Sequence, residues 1–116
     1  MNESILDTIK KMLGLDAEYE AFDVDIISDI NAVLMILEQL GVCESGFLVT
    51  DRSQLWLDLI GDNPSLIAVK TYVYLKVRLM FDPPTSSFVA DSINKQISEL
   101  EWRLLMQVEA RPSEEV

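Results

Sequence analysis

Histidine is absent from this 116-residue chain, and cysteine occurs once, at Cys43. The first absence removes the commonest side-chain base near neutral pH and the commonest metal ligand; the second forbids an intramolecular disulfide. Zinc sites and Cys-His chemistry go with them. No neighbouring basic group lowers the Cys43 thiol pKa, so a packed or turn residue is expected there instead of a nucleophile. Basic residues are scarce too, nine against 20 acidic, for a net charge of −11. Up to Asp62 there are 13 acids and three bases, and beyond it seven and six, so the acid lies in the N-terminal half. Such a surface repels phosphate backbones, and no basic patch with interleaved aromatics is present, so no specific nucleic-acid binding is expected. Apolar runs are short of the ~20 residues that cross a bilayer, because Lys70, Lys76 and Arg78 interrupt the longest of them. Met1-Asn2-Glu3-Ser4 has no basic leader, and the expectation is a soluble protein that is made and used without secretion.

What is present is helical periodicity. About half of the residues are apolar, enough for one domain with its own core. Ile5, Ile9, Met12 and Leu13 recur at helical spacing before Gly14, which suits a left-handed cap. Asp23-Val24-Asp25 opens a second helix striped by Ile26, Ile30, Val33, Leu34, Leu37 and Leu40 and stopped at Gly41. Thr50 or Asp51 is positioned to cap a short helix bearing Leu55, Trp56, Leu59 and Ile60, closed by Gly61. Asn63 as cap and Pro64 as first helical residue then start a helix over Leu66 to Phe81. That helix is apolar nearly all round, and it is predicted to be the central one. Phe47 to Thr50 and Thr71 to Tyr74 are β-prone, but the first is short and the second lies inside the helical pattern.

Asp82-Pro83-Pro84 ends the central helix and stiffens the corner that follows it. Thr85, Ser86 and Ser87 offer cap oxygens for a last helix reaching about Val108. Val89, Ile93, Ile97, Leu100, Leu104 and Val108 share one face of it. Trp102 lies opposite, with Leu105 and Met106 beside it, so this helix end has two apolar sides. Either the domain wraps it or another subunit covers it. Arg78 and Arg103 each sit beside an aromatic, Phe81 and Trp102. They read either as snorkelling or intrachain-paired side chains, with Asp82 or Glu99 as partners, or as anchors between subunits. The expected architecture is an all-α bundle of about five helices, its long central and C-terminal helices joined by the Pro-Pro corner. Residues 1–108 would form one domain and 109–116 a flexible tail.

Little catalytic chemistry is available. Asp23, Asp25 and Asp29 lack the glycine and polar spacing of a calcium loop, and acids at a helix start are better explained by capping and the macrodipole. Glu99 and Glu101 point apart on their helix. There is no Gly-x-Ser-x-Gly, phosphate loop or dinucleotide fingerprint, so no enzyme, metal or cofactor is expected.

Three segments resemble the head-tail connector family of tailed phages, also called head completion or adaptor proteins. They are Ile5 to Leu15, Ile26 to Val42 with its Leu40-Gly41-Val42 end, and Val77 to Leu104. The last carries Arg78-Leu79-Met80-Phe81-Asp82-Pro83-Pro84-Thr85-Ser86-Ser87-Phe88 and Glu99-Leu100-Glu101-Trp102-Arg103-Leu104. The resemblance implies a virion neck protein, present in the host cytoplasm before assembly. Its subunits would form a homo-oligomeric ring under the portal protein after DNA packaging, extend the channel and present a surface to the tail or its completion protein. Arg78, Phe81, Trp102, Arg103, Leu105 and Met106 would supply the oligomer and portal interface, with Asp82, Pro83 and Pro84 as the corner. DNA would pass through the ring without specific binding. Charge alone, apart from the resemblance, adds the expectation that a strongly acidic domain gives a channel to which DNA does not stick, with Asp16, Glu18, Glu20, Asp23 and Asp25 as the carboxylates to neutralise in a test. The alternative is a small acidic helical regulator, antitoxin-like or DNA-mimicking, that binds a basic protein.

Overall fold

The computed structural model describes residues 3–61, 63 and 65–110. They form five helices: α1 (Ile5–Met12), α2 (Asp23–Gln39), α3 (Trp56–Ile60), α4 (Leu66–Phe81) and α5 (Ser87–Ala110). No strand occurs among the described residues, and the single antiparallel bridge joins Ser4 to Leu55. The expected all-α bundle is what is observed. None of its helices is long and apolar enough to cross a membrane.

The apolar stripes dictate the packing. On α4, Val69, Tyr72, Val73, Leu75 and Val77 are buried, and they point in too many directions for one neighbour to cover. Helix α2 covers one side with Ile26, Ile30, Val33, Leu34 and Leu37, all buried. Helix α5 runs along another side and buries Ile93, Ile97 and Leu104. Helix α1 packs against both α2 and α4 through Ile5, Leu6 and Ile9. Tyr72 puts a hydroxyl into this core, and the group is satisfied because it donates to Glu101 Oε2 at 2.6 Å. Burial and that carboxylate push the Tyr72 phenol pKa up, so it stays a donor. Ser65 Oγ likewise reaches Gln107 Oε1, and the two contacts fix α4 and α5 as antiparallel neighbours.

Helices α1 and α2 end alike. Gly14 and Gly41 have φ of +87° and +86°. Leu15 N donates to Lys10 O at 2.8 Å and Val42 N to Leu37 O at 2.9 Å, the long bond of a Schellman cap in each case. A Cβ on Gly41 would lie 3.2 Å from Val108 Cγ1, so this cap also lets α5 approach the end of α2. Ser4 caps α1 through Asp7 N, a signal not used in reading the sequence.

The expected N-terminal caps of three helices are corrected, although α2 does begin at Asp23. No side chain caps α2: Phe22 holds the N-cap position, and Asp23 and Asp25 lie in the first turn, where they complement the macrodipole without capping. Helix α3 begins at Trp56, beyond Thr50 and Asp51, whose amides instead donate to Gln54 Oε1. Its first turn is tied by Leu55 N donating to Asp58 Oδ2 at 3.1 Å. Helix α4 starts at Leu66 with Ser65 at the N-cap position, while Asn63 Oδ1 accepts from Ser65 N one turn earlier. Pro64 and the tail over 111–116 lie outside the described residues, and α5 continues two residues past Val108.

Loops are pinned by polar side chains whose partners lie far away in sequence. Asn31 both donates to Val49 O and accepts from Val49 N, at 2.9 and 2.8 Å, holding the 47–50 segment against α2. Trp56 Nε1 donates to Thr8 Oγ1 at 3.1 Å. Lys10 is the one buried cation among the described residues, only 1% exposed. Its Nζ lies 2.8 Å from Asp23 Oδ1 and donates to Ala17 O at 2.9 Å, locking the 13–22 loop between α1 and α2. Removing one member of a buried pair strands the other charge without compensation. Asp23→Ala is therefore expected to lower unfolding free energy by about 3 kcal/mol, measured by urea denaturation. Lys10→Met, which removes the buried charge and keeps the packed stem, should cost less.

Candidate interaction surface

The residues proposed for an interface fall into two groups. One surrounds the corner at the end of α4. Arg78 is half-buried in the last turn and forms no ion pair with a described residue, so the pair with Asp82 is not made; Arg78 O accepts instead from Asp82 N, at 2.8 Å. Asp82 leaves the helix with φ −143° and ψ 67°, outside the helical region that a following proline disfavours. Beyond the prolines, Ser86 Oγ accepts weakly from Val89 N at 3.4 Å and starts α5. Phe81 turns inward, and its ring meets Phe22 edge-on at 5.3 Å. Phe22 in turn meets Tyr19 at 5.7 Å.

The second group lies on the outer face of α5. Leu104 is buried against α4, and Trp102, two residues earlier, is 60% exposed. Met106 is exposed one turn further and Leu105 is half-buried. The domain therefore leaves the second apolar face of α5 uncovered. Arg103 beside Trp102 pairs with Glu99 at 2.8 Å, the intrachain partner anticipated for it, but both side chains are 62% exposed. Such a surface pair is weak and readily exchanged. Lys95 is also exposed, two turns before Trp102 on the same side of α5, and forms no ion pair with a described residue.

The two groups are not one patch. Tyr72 marks the side of α4 that faces α5, and Phe81, nine residues on, lies half a turn round the helix from it and about 14 Å along. Phe81 instead helps to form an open cleft of about 710 Å³ between the end of α4, the start of α2 and the 13–22 loop. Leu15, Phe22, Met80 and Phe81 line it, with Asp25, Asp29 and Asp82 among them. None of these three carboxylates pairs with a cation among the described residues. Desolvation first, and the Asp25 charge one turn away second, raise the Asp29 pKa. Sequence reading named Phe81 and Asp82 but missed this cleft. Its one signal there was the pair of aromatics, Tyr19 and Phe22, set among acids in a loop.

Other candidate chemistry is confined. Burial and Glu38 push the Cys43 thiol up, away from a reactive thiolate. Among the described residues no group of three or more potential ligands is arranged for a metal.

A family model described as "Phage connector protein" matches residues 5–111, nearly the whole chain, and the chain belongs to that family. No curated protein and no solved structure matches it significantly.

Two stability contrasts follow from this geometry. Trp102→Ala should leave helicity by circular dichroism intact and change stability by less than about 0.5 kcal/mol, whereas Leu104→Ala should cost about 2–5 kcal/mol. For Asp29 the folded-state pKa is raised, so its ionised form is penalised in the fold at neutral pH. That penalty disappears as pH falls below the ordinary aspartate pKa of about 4. Asp29→Asn should therefore raise the melting temperature at pH 7 and lose its advantage at pH 3.

Proposed function

We propose that this phage connector assembles as a homo-oligomeric ring under the portal protein and joins the DNA-filled head to the tail. The observation that carries this reading is the family match over residues 5–111. The uncovered apolar strip of Trp102 and Met106 supports it, because a single domain gains nothing from exposing a tryptophan on its longest helix. A ring surface does gain from it: aromatic side chains flanked by arginine are the residues that anchor interfaces. In this role the protein works by shape and adhesion, with no catalytic step and no cofactor. It belongs to the virion neck, enters the particle from the host cytoplasm, and offers its other faces to the portal and to a tail-side completion protein.

The acidic half serves the passage of DNA. Glu18 and Glu20 are exposed, and no ion pair with a described residue neutralises them. A channel or rim carrying such charge repels the duplex and keeps it from sticking. Asp23 does not belong in this set, since it holds the buried Lys10.

The test is quantitative mass spectrometry of gradient-purified particles from the source phage or an induced lysogen. The chain is expected in complete virions at a fixed, ring-like copy number relative to the portal protein. Its confinement to the soluble lysate, together with tight capture of a basic nuclease or DNA-binding protein, would overturn the connector role in favour of an acidic regulator.

A further inference from the structure

We propose that the cleft at the end of α4 receives the outer face of α5 from a second copy of this chain, with Trp102 on the apolar floor and Arg103 against the acidic rim. This deepens the ring reading and rests on it. Leu15, Phe22, Met80 and Phe81 form an apolar floor that is open to solvent. Asp25, Asp29 and Asp82 lie around it without a cation, and Asp25 and Asp29 are four residues apart on α2, a spacing at which like charges repel. An occupant that relieves both conditions must bring apolar surface and positive charge together.

The chain has such a surface. Trp102 and Met106 are exposed on α5, with Arg103 beside the tryptophan and Lys95 two turns before it. Several exposed apolar residues elsewhere keep different company. Val24 stands between Asp23 and Asp25, and Leu57 precedes Asp58. Ile67 has Lys70 one turn away, but Glu3 already holds that lysine. On α5 the negative neighbours are Asp91, Glu99 and Glu109. Glu99 holds Arg103 only through an exposed pair, which an interface can exchange for Asp82 or Asp25 at little cost.

The placement also suits a ring. Helix α5 and the cleft occupy different sides of α4, and Trp102 lies beyond the level of Tyr72, away from the corner that frames the cleft. A contact between two different patches is heterologous, and successive copies close into a ring when the rotation per subunit is right.

The experiment is site-specific photo-crosslinking in assembled particles with Trp102→p-benzoylphenylalanine, which keeps an aromatic bulk on the exposed face. Irradiation is expected to give a covalent dimer of this chain whose crosslink maps to residues 15–29 or 80–82 of the second copy. Arg103→Glu and Asp82→Arg should each lower its yield about tenfold, and the two together should restore it. If Asp82→Arg disturbs the corner, Asp25→Lys at an exposed helical position serves in its place. A dimer mapped to another surface, or a crosslink from position 102 to a different virion protein, overturns the cleft assignment and leaves the connector role standing. Absence of the chain from particles removes both.

Discussion

The constraint on which the structure depends is the apolar circumference of α4. A helix with buried residues on so many sides cannot be covered by one neighbour, and burial of each such side chain contributes about 1.5–3 kcal/mol. Helices α1, α2 and α5 are therefore recruited around it. A polar group that this core takes in, the Tyr72 hydroxyl, is satisfied by Glu101 and so aligns α5 while remaining inside. Because α4 is encircled, α5 must lie at the margin of the bundle. It buries a single stripe, and Trp102 is left outside by the same geometry that buries Leu104.

Charge is distributed by the same packing. Lys10 and Asp23 meet where α1, the 13–22 loop and α2 converge, and their pairing lets a charged lysine lie almost wholly out of water. Asp25 and Asp29 continue along α2 toward the end of α4, where no cation follows them. One part of the acidic half thus stabilises the fold, while another leaves an uncompensated negative rim around an apolar floor. Membership of the phage connector family gives that rim a context, because the family implies assembly with other phage head and tail proteins.

Much of the architecture was legible in sequence. The stripes of α2 and α5, the all-round apolarity of α4, the glycine stops after α1 and α2 and the proline corner follow from local periodicity and backbone sterics, which act over a few residues. Helix starts were less legible. Several polar residues near each start compete for the same amides, and tertiary contacts choose among them: Gln54 takes the Thr50 and Asp51 amides, and Ser65 takes the place expected of Asn63. The residues proposed for an interface were legible as types but not as a map. Phe81 and Trp102 both read as apolar residues beside arginine, yet one meets Phe22 in a cleft and the other faces solvent.

By itself the sequence determined that the chain is helical, acidic, bare of histidine and stiffened at Asp82-Pro83-Pro84, because composition and local spacing settle those properties before any distant residues meet. Tertiary structure alone decided that Lys10 is buried against Asp23, that Asn31 holds Val49, that Tyr72 reaches Glu101, and that a cleft opens where α2 approaches the end of α4. The three contacts join residues 13, 18 and 29 positions apart, and Phe22 and Phe81, whose rings meet in the cleft, are 59 apart. Their partners are chosen by how whole helix faces pack, and no window of local sequence contains both sides of that choice.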